Sequence, residues 1–201
     1  MEQYPSVSRN ISYDIPIYAF DKLDGSNIRV EWTLKNGFSK YGSRKVLMDE
    51  THEFLGDAVG LFETKYSDSL SGIFKDERWQ KVTCFFEYHS PNSFAGFHAP
   101  ETHDVTLLDV NVYKKGFLPP NEFVRTFKDV DIPRLLRRGN VNATFEEEVR
   151  SGTLEGMTFE GVVCKAMVKR KFWLFKIKNR AWIDKLKERC DGDEKLFNQL
   201  L

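Results

Sequence analysis

Residues 16–27 read PIYAFDKLDGSN, and this stretch carries the strongest fold signal in the chain. An apolar run ends on Lys22, three turn formers follow at 24–26, and a second strand-like run occupies 27–34. Two such runs around an Asp-Gly pair are typical of antiparallel strands joined by a short turn. The pattern therefore predicts that Lys22 lies at the end of a strand.

The end of an apolar strand is an unusual place for a lysine. Lys22 would lie against Tyr18 and Phe20, where desolvation lowers the pKa of an amine and exposes a neutral nucleophile. The alternative is an ordinary β-turn with a solvated lysine, which the same Asp-Gly pair also predicts. This stretch alone leaves both interpretations open.

The rest of the chain alternates between strand-like and helix-like spacing. Strands are predicted at 16–22, 27–34, 37–43, 82–88, 105–113, 158–166 and 171–178. Helical structure is predicted from residue 48 to about 79, at 121–127, at 145–150 with Thr144 as the cap, and in an amphipathic tail at about 181–201. The pattern predicts one mostly antiparallel α+β domain over residues 1–201, whose strands present charged residues at a central cleft.

Composition limits the classes of function. The 30 basic and 30 acidic side chains balance, so any affinity for nucleic acid must come from a local patch. Three widely spaced cysteines indicate neither a disulfide framework nor a zinc site. The absence of a membrane-length apolar stretch and of a signal-like N-terminus favours a protein without a membrane partner, in a reducing, cytoplasmic compartment.

Three further segments place charged residues where a buried strand face would not favour them. Glu87 lies inside an aromatic strand, and Glu160 precedes the apolar run GVVC at 161–164. Period-two geometry puts Lys176 and Lys178 on one strand face, where two ammonium groups repel and favour an anionic partner such as phosphate. Taken singly, each segment is equally compatible with a solvated strand face.

In chain order, Lys-x-Asp-Gly, a strand glutamate, Glu-Gly-Val-Val-x-Lys and Lys-x-Lys resemble the motif series of the covalent nucleotidyltransferases: DNA ligases, RNA ligases and mRNA capping enzymes. The resemblance covers residues 16–180. DNA ligases and capping enzymes usually place arginine at the position of Asn27, and Lys-x-x-Gly-x-Asn resembles the second class of phage-type RNA ligase. The segments EYHSPNSFAGFH (87–98) and GSR (42–44) are also similar to segments of RNA ligases.

This resemblance implies an ATP-grasp-like adenylylation domain in which antiparallel sheets flank a nucleotide cleft. It implies an ATP-dependent RNA ligase that uses Mg²⁺ or Mn²⁺ and forms a lysyl-AMP intermediate. AMP would pass to a 5′-phosphate RNA end, including an end in a nicked duplex, and a 3′-hydroxyl would then displace it.

The resemblance also implies roles for the residues of the catalytic step. Lys22 would be the nucleophile, and Asp24 would orient it. Glu160 would position a hydrated metal ion near the α-phosphate. Lys176 and Lys178 would grip that phosphate and stabilise charge as pyrophosphate leaves, which suits a reaction that needs placement and charge neutralisation.

Other residues are implied to bind the nucleotide or the RNA end. Glu87 would contact the ribose hydroxyl and share in metal binding, and Arg44 would hold the ribose or the RNA end. Asn27 would assist the later steps. Asp21 would accept a hydrogen bond from the adenine amino group. Leu108 departs from the pattern, because these ligases usually stack adenine on an aromatic residue there, a contact of roughly 1–3 kcal/mol.

Residues 165–180 contain seven basic and no acidic side chains, interleaved with aromatic residues, and could serve phosphates and bases. A packed core with a solvated turn at 169–171 is the alternative. The rival functions are a GTP-dependent capping enzyme, a DNA ligase, and a non-catalytic module that binds nucleotides or RNA ends. The first two normally carry an oligonucleotide-binding barrel after the last motif, and no such domain is expected in the residues after Lys178. A partner that supplies a second nucleic-acid-binding domain remains open.

Overall fold

The structure is a computed structural model that describes residues 1–44, 46–89 and 103–201. The described residues form two compact units, one of residues 1–5, 25–89 and 103–132 and one of residues 6–24 and 133–201. Each unit contains one antiparallel sheet with helices, which confirms the predicted mixture of helices and antiparallel strands. The single-domain organisation, the ATP-grasp likeness and the nucleotide cleft stay predictions.

The strands and helices follow one another along the chain. In order they are β1 (Pro16–Asp21), β2 (Ser26–Thr33), β3 (Gly37–Ser43), β4 (Leu47–Met48), α1 (Asp57–Asp76), β5 (Lys81–His89), β6 (Asp104–Val112), β7 (Gly116–Phe117), α2 (Pro120–Thr126), β8 (Leu135–Asn140), α3 (Ala143–Ser151), β9 (Gly161–Val168), β10 (Lys171–Lys178), α4 (Arg180–Arg189) and α5 (Glu194–Leu200).

The first unit is a six-stranded sheet in the order β4-β3-β2-β5-β6-β7. Its apolar face packs on α1, where Phe74 meets Trp32 and Phe62 meets Phe86, each pair with ring centroids 5.3 Å apart. The predicted helical start near residue 48 is wrong, because α1 begins at Asp57. Phe54, which lies in the range predicted to be helical, precedes α1 and is exposed.

An N-terminal tyrosine covers part of the opposite face of this sheet. The Tyr4 ring lies 5.1 Å from the Phe85 ring and 6.1 Å from the Phe117 ring, measured between centroids. Its hydroxyl donates to Asp109, which is 2% exposed. Burial, followed by the charge of Asp109, raises the pKa of Tyr4 well above its usual value, so the hydroxyl stays protonated and can donate.

The second unit is a four-stranded sheet in the order β10-β9-β1-β8. One face packs on α3 and buries alternate residues of three strands: Ile17, Ala19, Val162, Cys164, Ala166, Phe175 and Ile177, together with Phe145 and Val149 of the helix. Strand β8 was not predicted. The predicted cap of α3 is also wrong, because the side chain of Asn142, not Thr144, accepts the hydrogen bond from the Phe145 amide.

The predicted helical tail forms α4 and α5, which pack around Trp182, Leu186 and Cys190. Cys84, Cys164 and Cys190 are buried free thiols, and burial raises the pKa of each. Among the described residues, no helix is long and apolar enough to cross a membrane.

Candidate active site

One end of the second unit's sheet brings three motif residues into register. The backbone N–H of Lys22, just after β1, donates to the carbonyl of Gly161 at 2.9 Å. Gly161 pairs in turn with Lys178 on β10. Residues that are far apart in sequence therefore lie in one row across three strands.

Glu160 precedes this row and contacts both lysines. Its Oε1 atom lies 2.8 Å from the Lys22 Nζ and 2.8 Å from the Lys178 Nζ. The carboxylate is 4% exposed and Lys178 is 6% exposed, whereas Lys22 is 19% exposed. Lys22 thus forms an ion pair at the open side of a buried carboxylate, a partner that the predicted apolar environment did not include.

Lys176 and Lys178 lie on one face of β10, and Phe175 and Ile177 lie on the opposite face, as the alternation predicts. Burial, with the charges of Lys178 and Lys22, lowers the pKa of Lys176 to about 7. Its Nζ donates to the carbonyl of Leu201 at 2.6 Å.

Burial also lowers the pKa of Lys178 to about 8 and outweighs the opposing effect of Glu160. The charge of Lys22 lowers this pKa further, and the charge of Asp24 raises it. The Lys178 Nζ lies 3.5 Å from the centroid of the Trp182 ring, which gives the buried cation an aromatic neighbour.

Asp21 lies directly before the nucleophile candidate, but its carboxylate is engaged within the protein. Its Oδ1 atom accepts from the backbone N–H of Thr158 at 3.0 Å and from the Thr158 hydroxyl at 3.2 Å. Burial is the largest influence on the Asp21 pKa and raises it. The predicted contact between Asp21 and adenine stays a prediction.

The remaining predicted residues belong to the first unit. Asn27 pairs with Glu87 across β2 and β5, and the Asn27 Nδ2 donates to the Phe86 carbonyl at 3.3 Å, while its buried Oδ1 has no hydrogen-bond partner among the residues that the structure describes. Leu108 is the extra residue of a bulge in β6, and Arg44 is exposed after β3. Most of the segment predicted at 87–98 lies outside the described residues.

The predicted site residues therefore fall into two sets. Lys22, Asp24, Glu160, Lys176 and Lys178 belong to the second unit, as does Asp21. Asn27, Arg44, Glu87 and Leu108 belong to the first. The two residues predicted to bind metal, Glu87 and Glu160, are consequently in different units.

The chemistry of the second unit's set suits a phosphate-bearing ligand. The amines of Lys22 and Lys178 contact the Glu160 carboxylate, and the charge of Glu160 also acts on Lys176, so the cluster carries more positive than negative charge when its lysines are protonated. Within the described part of the chain, no group of three or more His, Cys, Asp or Glu side chains forms a metal cage. A single carboxylate such as Glu160 still fits Mg²⁺ or Mn²⁺, because Mg²⁺ in particular is commonly held by one or two carboxylates, water and substrate phosphates.

Sequence reasoning missed two residues of this environment. Trp182 was assigned only to an amphipathic tail, although it lies four residues after Lys178, in the first turn of α4. Arg9 lies in a segment whose Ser8 bridges to Phe175 on β10, and the charge of Arg9 also lowers the Lys176 pKa. Nothing in the polar N-terminal sequence signals that contact.

No protein-family model and no curated protein sequence matches the chain. Solved structures do match it. A Naegleria gruberi RNA ligase mutant with ATP and Mn aligns with a TM-score of 0.61 and 16% identity, over 86% of this chain and 52% of that protein. Another mutant of the same ligase, in apo form, aligns with a TM-score of 0.63 and 14% identity, over 92% and 60%.

An Aquifex aeolicus protein named as an ATP-dependent DNA ligase aligns with a TM-score of 0.69 and 16% identity, over 100% of this chain and 57% of that protein. The chain thus spans between about half and three-fifths of the length of these proteins. The resemblance indicated by the motif series is confirmed at the level of the fold, which this chain shares with the Naegleria gruberi RNA ligase and the Aquifex aeolicus protein.

Proposed function

We propose that this protein is an ATP-dependent RNA ligase in which Lys22 carries AMP as a covalent phosphoramidate. The observation that carries the proposal is the pairing of Lys22 and Lys178 with one oxygen of Glu160, at 2.8 Å each. A nucleophile, its orienting carboxylate and phosphate-binding cations are the groups that nucleotidyl transfer requires.

In the first step the Lys22 Nζ attacks the α-phosphorus of ATP. A P–N bond forms, the P–O bond to the β-phosphate breaks, and pyrophosphate leaves with the bonding electrons. The amine attacks in its neutral form, so the Lys22 ammonium must first give one proton to water, and the nitrogen gives a second proton to water as the phosphoramidate forms. Glu160 orients the amine, and Asp24 lies near enough for its charge to act on Lys178.

Lys176 and Lys178 stabilise the charge that develops on the departing pyrophosphate. Their pKa values of about 7 and about 8 leave a substantial protonated fraction near neutral pH, and an arriving phosphate favours that form further. A hydrated Mg²⁺ or Mn²⁺ held at Glu160, with Glu87 as a further predicted ligand, would supply additional positive charge close to the α-phosphate.

In the later steps, an oxygen of a 5′-phosphate attacks the α-phosphorus, the P–N bond breaks and Lys22 regains its amine. A 3′-hydroxyl then attacks the 5′-phosphate and AMP leaves as the strand is sealed. Asn27, Arg44 and Glu87, all in the first unit, assist nucleotide and end binding in this proposal. Leu108 takes the position of the aromatic residue that would stack on adenine. A partner that supplies a further nucleic-acid-binding domain is also part of this proposal.

DNA ligation is a second candidate because the Aquifex aeolicus protein aligns over the whole of this chain. A GTP-dependent capping reaction and a non-catalytic binding module are the third and fourth candidates. Covalent labelling separates the two ligases from the capping reaction and the binding module, and end joining separates the two ligases from each other.

Covalent labelling tests the first step directly. The protein is incubated with Mg²⁺ or Mn²⁺ and with ATP or GTP labelled at the α-phosphate, and acid-labile label on the protein is measured. We expect labelling by ATP, little by GTP, and none in Lys22→Ala. Lys178→Ala should label at a strongly reduced rate, whereas Lys171→Ala, an exposed lysine of the same strand, should label normally. A protein that never gains AMP, or gains it without Lys22, would overturn the proposal.

Pre-adenylylated ends separate the substrates. Nicked duplexes and single strands with adenylylated RNA or DNA 5′ ends are offered without ATP, and sealing is measured. Joining of RNA ends with little joining of DNA ends supports the RNA ligase, and the reverse preference supports the DNA ligase.

A further inference from the structure

Asp21 is buried and its carboxyl group faces away from the side on which the lysines gather. Strand β1 alternates, and Ile17 and Ala19, which share the parity of Asp21, lie in the core that packs on α3. Lys22 has the opposite parity. A group that reads the base of a nucleotide bound at Lys22 would need to reach the face that carries Lys22.

The partner of Asp21 is instead the segment that leads into Glu160. Its Oδ1 receives two hydrogen bonds from Thr158, one from the backbone N–H and one from the hydroxyl. A carboxylate that accepts two hydrogen bonds while only 4% exposed is committed to that contact, because breaking it would leave a buried acceptor unpaired.

The same segment is held at two further points. The Arg134 Nη1 donates to the Gly156 carbonyl at 3.2 Å, and the Arg134 carbonyl accepts from the Asp21 backbone N–H at 2.9 Å. At its other end, the Glu160 carbonyl accepts from the Asn179 N–H at 3.0 Å. Residues 156–160 are thus fixed before the chain enters β9.

We infer that Asp21 is a positioning residue that sets the Glu160 carboxylate through Thr158, and that it does not read adenine. The end of β1 then leads directly into Lys22 and also holds the segment that presents the carboxylate partner of Lys22. The inference rests on the proposed function, and it explains how the protein maintains the 2.8 Å contacts from Glu160 to Lys22 and Lys178.

The test compares Asp21→Ala, Asp21→Asn and Thr158→Val, with Asp14→Ala, an exposed residue just before β1, as the matched control. The first readout is backbone hydrogen exchange at residues 157–161 in nucleotide-free protein. We expect faster exchange of the Thr158 amide in Asp21→Ala. Asp21→Asn should retain protection, because its side-chain oxygen still accepts, and Asp14→Ala should not change it.

The second readout is the initial rate of lysyl-AMP formation at several ATP and GTP concentrations. Asp21→Ala should lower the rate about 10- to 100-fold, the usual effect of removing a partner that orients a metal or catalytic carboxylate. Asp21→Asn should recover most of the rate, Thr158→Val should lose a smaller part, and the ratio of ATP to GTP use should stay unchanged throughout.

A changed ATP to GTP ratio in Asp21→Asn, or unaltered exchange and rate in Asp21→Ala, would overturn the inference. If Asp21→Ala does not fold, Asp21→Asn and Thr158→Val still decide it by the same two readouts. A wild-type protein that forms no lysyl-AMP contradicts the proposed function alone, because the exchange measurement needs no nucleotide.

Discussion

Gly161 lies opposite Lys178 in the ladder between β9 and β10, and the space between them admits no side chain. Its φ of 133° is disfavoured for any residue with a Cβ atom, and a Cβ there would lie 2.1 Å from the Ile177 carbonyl oxygen. Gly161→Ala should therefore lower the free energy of unfolding by roughly 2–5 kcal/mol, as strain and overpacking combine. Urea denaturation measures the loss.

Gly37→Ala is the control for backbone strain alone. Gly37 has a φ of 66°, but no heavy atom lies within 4 Å of the position of a Cβ. Gly37→Ala should therefore lower the free energy of unfolding by only about 1–2 kcal/mol. Equal losses at the two positions would show that the close approach to β10 is unimportant.

Binding of pyrophosphate should take up protons, since the pKa values of Lys176 and Lys178 are lowered to about 7 and about 8 and a phosphate favours the ammonium forms. Affinity should fall as pH rises from 7 to 9. Calorimetry in two buffers with different ionisation enthalpies measures the uptake. Lys176→Arg, which stays charged, should reduce it, and proton release on binding would contradict the expectation.

The same two lysines should affect stability with a defined sign. Their pKa values in the folded protein lie below the ordinary 10.5, so the two protonated lysines oppose folding below pH 7. Between pH 7 and 10.5 the unfolded chain retains protons that the folded protein has released. The free energy of unfolding should therefore rise over that range. Lys176→Met should flatten this rise in denaturation curves measured across that range.

Tyr4→Phe should destabilise the first unit. The substitution keeps the ring packed against Phe85 but removes the donor to Asp109, which is 2% exposed. Loss of a hydrogen bond to a buried carboxylate costs about 1–3 kcal/mol. Tyr13→Phe is the matched control, since the Tyr13 hydroxyl bonds to Glu146 at the surface and should matter little. An equal decrease of the denaturation midpoint in both variants would contradict a stabilising role for the Tyr4 hydroxyl.

Two cationic residues of the β9–β10 turn have positive φ angles, which are unfavourable for residues with a side chain. Lys169 and Arg170 have φ values of 47° and 65°, in a two-residue turn whose preferred sequence is Asn-Gly. Replacement by Asn-Gly should raise the free energy of unfolding by about 1–2 kcal/mol. Lys114→Asn, at a φ of 66° in another turn, should also stabilise the protein.

The same replacement tests the basic strip expected at 165–180. If the turn contacts phosphates, RNA affinity should fall and the dependence of log affinity on log salt should weaken by about 2 units, roughly one per cation. Lys114→Asn should leave RNA binding unchanged. An unaltered salt dependence would support the solvated turn.

Alternating and aromatic runs predicted the strands of both sheets well. The predicted runs at 16–22, 27–34 and 171–178 lie within a residue of β1, β2 and β10. Strand β8 reads LLRRGN and could not be predicted, because an edge strand that contains two adjacent leucines and two adjacent arginines shows no apolar alternation. The start of β9 was predicted three residues early, because the φ of Gly161 and the Asp21–Thr158 contact keep residues 158–160 out of the ladder.

The site was predictable in its residue types and faces but not in its pairings. Period two placed Lys176 and Lys178 on one face. That Glu160 meets both Lys22 and Lys178 depends on the order of β1, β9 and β10 in the sheet, which no local pattern encodes. The contact from Lys176 to the Leu201 carbonyl depends on the path of the tail, which is equally invisible to periodicity.

The burial of all three thiols has a practical consequence for spectroscopy. Cys84, Cys164 and Cys190 have raised pKa values and little exposure, so thiolate-directed reagents should leave the folded protein unmodified at neutral pH. A cysteine introduced at exposed Lys171 would then be the single fast-reacting position. A fluorophore attached there could report nucleic-acid binding on an otherwise native background.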